Sequence, residues 1–157
     1  MKLIFLDVDG VIATPLSFSL SRFLRKKDTD QVFDPLSLFW LRRLCRRTGA
    51  FVILSSTWRD ALTMDDPWAD ALYDNLRRTL QNNGTPIADT TPLLMTGDRS
   101  LEIGAYLDAH PAEAFAVLDD SPWFIERRDV AERLVRIRNS RGIRRPHYLA
   151  ALRLLEE

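Results

Sequence analysis

The feature that most constrains the fold is a set of short apolar runs that stop abruptly at polar or acidic residues. KLIFLDV, AFVILSS and AFAVLDD are apolar almost throughout, as strands buried on both faces of a parallel sheet are. RLVRIRN is a fourth run of this kind, and TPIADTTP is typical of an edge strand followed by a loop. Helical patterns separate these runs, so the sequence predicts a three-layer α/β/α sandwich with a mainly parallel sheet.

The helices between the strands are marked by their end signals. Two Asp-Pro pairs offer an N-cap and a proline at the first helical position, and a glycine ends each pattern: Asp34-Pro35 to Gly49 and Asp66-Pro67 to Gly84. Three further helices are predicted: near Arg99–Ala109, a short one from Ser121-Pro122, and one from Pro146 with Leu149, Leu152 and Leu155 facing inward.

Composition excludes several classes of protein. The 157 residues, 46% of them hydrophobic and 28% charged, indicate a single globular domain over residues 1–157. The formal net charge is zero, so no overall field draws the chain to nucleic acid or to a membrane. No apolar stretch approaches the roughly 20 residues of a membrane span, and acids interrupt the N-terminal apolar run where a signal peptide has none. The single Cys45 cannot form an internal disulfide, and we expect a cytoplasmic location.

Candidate functional residues collect where the apolar runs end. The first run ends in Asp7, the second in Ser55, Ser56 and Thr57, and the AFAVL run in Asp119-Asp120. In parallel sheets, ligands bind outside the carboxyl ends of the strands, so these groups converge on one edge. Asp9 lies two residues after Asp7, which in an extended chain gives both side chains the same direction, with α-carbons about 6–7 Å apart.

Such a cluster of carboxylates indicates a bound cation. Like charges at this spacing raise one another's pKa values unless a cation neutralises them, and carboxylate-only ligands suit a hard ion such as Mg²⁺. The serines and Thr57 can donate hydrogen bonds to phosphate oxygens, and Arg99 can neutralise charge as a phosphate ester breaks. An ionised aspartate can then serve as the nucleophile.

Four segments, in this order, resemble the motifs of the haloacid dehalogenase-like (HAD) superfamily of aspartyl-phosphate phosphatases: DVDGV, VILSSTWR, TGDRSLEIGAYLDAHP and AVLDDSPWF. The resemblance covers nearly the whole chain and implies a Rossmann-like sheet and Mg²⁺. It implies Asp7 as nucleophile and metal ligand, and Asp9 as general acid and then base, with the backbone carbonyl of Asp9 on the metal. It also implies Asp119 as a metal ligand and Asp120 as a ligand, directly or through water.

Two positions in this resemblance stay open. The second motif implies a phosphate-binding serine: Ser55 directly follows the apolar run, whereas Ser56 fits if one small residue closes the strand, and Ser56 is preferred. The third motif usually carries lysine, but no lysine lies beyond residue 27, so Arg99 is expected to take that role. A planar guanidinium binds phosphate at two points where lysine acts as a point charge.

The spacing of the motifs bears on the substrate. HAD phosphatases select substrates largely with cap insertions, and residues 11–33 suffice for a hairpin flap and a short loop but for no cap domain. We therefore expect an open site that suits large phosphorylated substrates, with Phe18, Leu20 and Phe23 touching the leaving group. The closer resemblance is to small bacterial and phage HAD proteins, some of which are proposed to act in nucleic-acid repair.

These observations predict a Mg²⁺-dependent phosphomonoesterase that acts through an aspartyl-phosphate on Asp7 and whose phosphorylated substrate the sequence does not identify. A nucleic-acid 3′- or 5′-end phosphatase is one alternative, because basic residues cluster within 22–27 and 133–145 and can follow phosphates. The neutral net charge and the lack of interleaved aromatics favour a solvated surface for these clusters. A non-catalytic module that binds Mg²⁺ and phosphate is the other alternative, although such a module has no need of Asp9 as an acid.

Overall fold

The computed structural model describes residues 1–157 and has a five-stranded, all-parallel sheet at its centre. The strands are β1 (Lys2–Leu6), β2 (Phe51–Leu54), β3 (Ile87–Thr90), β4 (Ala114–Asp119) and β5 (Leu134–Arg136). They lie in the order β3-β2-β1-β4-β5, so the first strand of the chain is the middle strand of the sheet. The predicted α/β sandwich with a Rossmann-like sheet and no cap domain is confirmed.

Helices cover both faces of this sheet. They are α1 (Pro15–Phe23), α2 (Pro35–Thr48), α3 (Pro67–Asn82), α4 (Arg99–Ala109), α5 (Arg128–Ala131) and α6 (Arg145–Glu156). Apolar residues of α2, α3 and α6 share the larger core with one face of the sheet, and those of α4 and α5 share the smaller core with the other face. No helix is both long enough and apolar enough to pass through a bilayer.

The burial of β1 explains why its sequence is an unbroken apolar run. Ile4 and Leu6 belong to the larger core, whereas Leu3 and Phe5 belong to the smaller one, and all four side chains are fully buried. A strand with alternate residues in two cores has no face left for polar side chains. The first polar residue, Asp7, therefore appears only where the strand leaves the sheet.

The segment expected to form a hairpin flap is helical instead. Within residues 11–33 the chain forms α1 and a single 3-10 turn at Asp28–Asp30, so the hairpin prediction is wrong. Thr14 and Ser17 form a reciprocal capping box, and Pro15 occupies the first helical position. These are strong helix-start signals, and they outweigh the β-propensity of the short apolar stretch that precedes them.

The short helix predicted from Ser121-Pro122 is also wrong, because the chain there is irregular until α5 begins at Arg128. The backbone N–H groups of Ile125 and Glu126 donate to the side chain of Asp98. A carboxylate from a distant element thus takes the donors that a local helix would have used.

The last helix has a different inward face from the one predicted. It begins at Arg145, and its buried residues are Tyr148, Ala151 and Leu155. Leu155 is inward as predicted and Leu152 is half-buried, but Leu149 is 38% exposed, so the prediction for Leu149 is wrong. Tyr148 sets this orientation, because its ring lies against Trp40 of α2 with centroids 5.2 Å apart.

Candidate active site

The site is built where three neighbouring strands end together. The Ser55 N–H donates to the Leu6 carbonyl (3.0 Å), and the Asp7 N–H donates to the Leu118 carbonyl (2.9 Å), so β2, β1 and β4 are aligned at this edge. Residues two positions earlier on these strands, Phe5, Ile53 and Val117, all lie in the core beneath α4. Because side chains alternate along a strand, Asp7, Ser55 and Asp119 continue the same face.

Arg99, the first residue of α4, joins these strand ends. Its Nη1 donates to Asp7 Oδ1 (3.0 Å), to Asp119 Oδ2 (3.1 Å) and to the Ser55 carbonyl (2.8 Å). Burial alone would lower the pKa of Arg99, but the charges of Asp7 and Asp119 outweigh it and raise that pKa, so the guanidinium stays charged. The structure therefore places a cation between the two strands that flank the middle of the sheet.

Three carboxylates at this edge could hold a metal ion. Asp7, Asp119 and Asp120 each offer an oxygen, and these atoms all lie within 4.8 Å of one another. Burial, reinforced by the charge of Asp7, raises the pKa of Asp119 to about 7 and that of Asp120 to about 6. Such crowding is relieved by a bound cation, and an all-oxygen ligand set fits Mg²⁺, which completes its shell with waters or substrate oxygens.

Gly10 makes the approach of Asp120 possible. Its φ is +79°, and a Cβ at this position would lie 2.3 Å from Asp120 Oδ2. The left-handed backbone makes any other residue strained here, and an added side chain would displace the Asp120 carboxylate. The glycine of the DVDG segment therefore gives Asp120 room beside the turn that follows Asp7.

Asp9 occupies a separate position from the three clustered carboxylates. The Nε1 of Trp58 donates to Asp9 Oδ2 (3.1 Å), and the Trp58 ring packs edge-on against Phe33 with centroids 5.8 Å apart. Partial burial raises the pKa of Asp9, the charge of Asp7 raises it further, and the Trp58 hydrogen bond and Arg99 oppose both. A carboxyl group with a raised pKa is suited to hold and release a proton.

The residues after β2 have different hydrogen-bonding states. The Ser56 hydroxyl accepts from the Trp58 N–H (3.3 Å) and so caps the 3-10 helix Thr57–Thr63. The Ser55 hydroxyl is buried and has no partner. Thr57 is exposed and shares a cleft with Arg99 and Ser121. The three predicted phosphate-binding residues that follow β2 thus lie at the edge with the fourth, Arg99, but among their hydroxyls only that of Ser55 is both buried and unpaired.

Arg59 is a site residue that the sequence reasoning missed. Its side chain is only 3% exposed and donates to the carbonyls of Ser55 (2.9 Å), Ser56 (2.7 Å) and Thr91 (3.1 Å). It also pairs with Glu102 of α4. Arg59 therefore fixes the backbone that carries the two serines. The available signal was an arginine four residues after a strand end, in VILSSTWR.

The two basic clusters have different surroundings. In the 133–145 cluster, Arg133 pairs with Glu157 (2.9 Å) and Arg144 pairs with Asp34 (3.0 Å), so these two side chains act within the fold. In the other cluster, Arg22, Lys26 and Lys27 are exposed and line a cleft that Trp58 also lines. In the 133–145 cluster, Arg136 also reaches the site edge, where its Nε donates to the Asp120 carbonyl (3.5 Å). Only the second cluster shares a cleft with Trp58.

Comparison with known proteins agrees with this geometry. Residues 3–148 match the family model described as the HAD domain in Swiss Army Knife RNA repair proteins. The match spans all four segments in which the resemblance was found. No curated protein matches the chain.

Proposed function

Because the chain belongs to the family of HAD domains in Swiss Army Knife RNA repair proteins, we propose that it is a Mg²⁺-dependent phosphomonoester hydrolase acting through an aspartyl-phosphate on Asp7. The observation that carries the proposal is the contact of Arg99 with both Asp7 and Asp119 beside Asp120. A nucleophile, a ligand set for a hard cation and a fixed positive charge are the groups that phosphoryl transfer requires.

Two displacements at phosphorus make up the proposed reaction. Asp7 attacks phosphorus while Asp9, whose pKa is raised, gives its proton to the leaving oxygen. Asp9 then takes a proton from water, which attacks the phosphorus of the aspartyl-phosphate, releases inorganic phosphate and restores Asp7. Mg²⁺ held by Asp7, Asp119 and Asp120 would supply positive charge to the transferring group. Arg99, which contacts both Asp7 and Asp119, supplies further positive charge.

We assign the phosphate-binding hydroxyl to Ser55, in place of the Ser56 that the sequence favoured. The Ser55 hydroxyl is buried without a partner next to Asp7, and an unpaired buried hydroxyl is costly unless a ligand uses it. Ser56 keeps its hydroxyl on the Trp58 N–H and offers its backbone instead.

The test is hydrolysis of an aryl phosphate by the purified protein with Mg²⁺ or with EDTA. We expect turnover with Mg²⁺, none with EDTA and none in Asp7→Asn, because the amide is not a nucleophile. The matched control is Asp70→Asn, an exposed acid on α3 away from the site, which should keep full activity. If the wild-type protein hydrolysed neither aryl phosphates nor phosphorylated oligonucleotides nor phosphorylated metabolites, the enzyme proposal would be wrong. The protein would then be a non-catalytic module that binds Mg²⁺ and phosphate.

A second candidate, a nucleic-acid 3′- or 5′-end phosphatase in repair, is the narrower form of the same proposal. The family description places related domains in RNA repair proteins, and the absence of a cap leaves the site edge open to a large substrate. A kcat/KM for phosphorylated oligonucleotides far above that for phosphorylated sugars or nucleotides would support it. A higher kcat/KM for phosphorylated sugars or nucleotides would instead indicate a metabolite phosphatase.

A further inference from the structure

A cleft of about 550 Å³ lies between α1 and α3, next to the proposed active site. Helix α1 and the segment after it contribute Phe18, Arg22, Lys26 and Lys27, and α3 contributes Trp68. Phe18 is 49% exposed and Trp68 is 56% exposed, although both are large apolar side chains. The cleft thus combines exposed aromatic rings with positive charge.

Trp58 connects this cleft to the chemistry. Its ring lines the cleft, and its Nε1 donates to Asp9 (3.1 Å). In the proposed function Asp9 protonates the leaving oxygen, so the leaving group lies beside Asp9. The part of the substrate that departs from phosphorus therefore continues into the space next to Trp58.

We propose that the α1–α3 cleft binds a single-stranded nucleic acid whose end carries the phosphate. This inference rests on the phosphatase activity proposed above. The bases lie against Phe18 and Trp68, and the phosphates of the backbone lie against Arg22, Lys26 and Lys27. Stacking platforms combined with basic side chains are how proteins hold single strands without reading their sequence.

The charge of the cleft fits a polyanion. Arg22, Lys26 and Lys27 face a single lining carboxylate, Asp28, and none of the three cations takes part in a salt bridge. Their charges are therefore available to a ligand, and release of counterions from a nucleic acid would favour its binding.

The cleft on the other side of the site fits a strand less well. It has a volume of about 260 Å³ and contains Arg59 and Arg99 together with Asp60 and Glu102, so its formal charge is balanced. Arg59 already pairs with Glu102, and Arg99 already contacts Asp7. This second cleft is lined by Trp123, which is 60% exposed and provides a matched comparison for Trp68.

A third basic surface lies on the exposed face of α2. Arg42, Arg43, Arg46 and Arg47 surround Phe39 and Tyr148 there, and no residue of the site edge lines it. This surface is basic, as the proposed cleft is, but it has no connection to Asp9. Variants of it therefore show whether a loss of positive charge anywhere on the protein weakens dephosphorylation of RNA.

The experiment compares kcat/KM for a single-stranded RNA of about 12 nucleotides, carrying a 3′- or a 5′-phosphate, with kcat/KM for an aryl phosphate. The readout is the ratio of the two values, which separates strand binding from chemistry and from folding. We expect Trp68→Ala and the double variant Lys26→Glu/Lys27→Glu each to lower the ratio about tenfold or more. Trp123→Ala and Arg42→Glu/Arg46→Glu should leave the ratio within about twofold of wild type.

Several outcomes would overturn the cleft assignment. One is an unchanged ratio in both cleft variants, and another is an equal fall in Trp123→Ala or in the α2 double variant. A phosphopeptide that is hydrolysed with a higher kcat/KM than either RNA, and that depends on Lys26 and Lys27, would assign the cleft to protein instead.

Binding to the Asp7→Asn protein keeps this inference separate from the proposed function. The Kd of a fluorescent single-stranded RNA needs no turnover, and we expect Lys26→Glu/Lys27→Glu in that background to weaken it about tenfold. Weakened binding without any wild-type turnover would support the cleft while refuting the phosphatase. Wild-type turnover together with a Kd that the cleft variants leave unchanged would support the phosphatase and refute the cleft assignment.

Discussion

At the scale of single residues, two neighbouring serines show how position decides the use of a side chain. Ser55 and Ser56 follow β2 directly, and both hydroxyls are buried. Ser56 caps the 3-10 helix that begins at Thr57, whereas the Ser55 hydroxyl has no partner. Substitution of either one by alanine therefore removes a different kind of interaction.

We expect Ser55→Ala and Ser56→Ala to separate activity from stability. Ser55→Ala should lower kcat/KM for an aryl phosphate about 10²-fold, as loss of one donor to a developing negative charge does, with little change in Tm. Ser56→Ala should lower the free energy of unfolding by about 0.5–2 kcal/mol, the usual cost of losing a cap. Chemical denaturation and steady-state kinetics on both variants check this prediction. If Ser56→Ala lost activity and Ser55→Ala lost only stability, Ser56 would be the phosphate-binding residue.

Sequence reasoning could locate these residues but could not choose between them. An apolar run that ends in polar residues shows where a strand stops, and this placed Asp7, Ser55 and Asp119 at one edge. The choice between Ser55 and Ser56 depends on which hydroxyl lacks a partner in the folded protein. The role of Arg59 becomes visible only with its five acceptors, which distant residues contribute as well as neighbours.

At the scale of elements, Asp98 couples α4 to the segment after β4. Its side chain is 7% exposed and accepts from the Ser100 N–H (2.9 Å) and the Ser100 hydroxyl (2.7 Å), which caps α4. It also accepts from the Glu126 N–H (2.8 Å). The helix that presents Arg99 is thereby tied to the chain that leaves Asp119-Asp120.

We expect Asp98→Asn to lower stability in a pH-dependent way. Burial acts to raise the pKa of Asp98, but hydrogen bonds from Ser100, Ile125 and Glu126 outweigh it, so this pKa is lowered. The ionised Asp98 carboxylate therefore contributes to the free energy of unfolding above the ordinary aspartate pKa of about 3.9. This contribution is lost as the pH falls through the lowered pKa. The variant should lose about 1–2 kcal/mol near neutral pH and show a flatter fall in stability below about pH 4.

Urea unfolding across the acidic range checks this prediction. Asp66→Asn is the matched control, because Asp66 caps α3 through a single hydrogen bond, to Trp68 N–H (3.0 Å). If the free energy of unfolding of Asp98→Asn fell with decreasing pH as steeply as that of wild type, the proposed contribution of the Asp98 carboxylate would be wrong.

The elements that the sequence predicted well are those with local signals. Helices α2, α3 and α4 begin and end close to their Asp, Pro and Gly markers, and each is confirmed. The predicted helix at Ser121-Pro122 failed because its N–H groups are taken by Asp98, which no local pattern reveals. The hairpin failed for the opposite reason, since the Thr14 and Ser17 capping box was present in the sequence.

At the scale of the whole molecule, a net charge of zero conceals an uneven distribution of charge. Asp7, Asp119 and Asp120 are crowded at one edge, and burial together with the charge of Asp7 raises the pKa of Asp119 to about 7 and that of Asp120 to about 6. A raised folded-state pKa means that folding favours the neutral acid. Stability from this source is therefore complete below about pH 4 and is lost as the pH rises through about 6–7.

We expect Mg²⁺ to stabilise the protein more at about pH 7.5 than at about pH 5, because the carboxylates repel one another and bind the ion only when ionised. Thermal unfolding with Mg²⁺ or with EDTA measures this difference. Asp120→Asn should raise Tm in EDTA at the higher pH and reduce the gain from Mg²⁺. An equal gain from Mg²⁺ at both pH values, or a lower Tm for Asp120→Asn in EDTA, would show that charge crowding does not govern stability here.

The fold class could be predicted at this scale because it depends on hydropathy averaged over whole strands. Single misplaced residues such as Leu149 leave that average almost unchanged. The position of each strand in the sheet depends instead on how the crossovers pack, and this is a property of the completed core.

The central place of β1 has a consequence for the synthesis of the protein. Leu6 pairs with Leu54 on one side and with Leu118 on the other, so β1, which is synthesised before β2 and β4, has to wait for both neighbours. Contacts this distant in sequence form slowly. Until β4 has been translated, Asp7 has no Asp119 beside it. A nascent chain arrested earlier therefore carries the proposed nucleophile without the rest of the site.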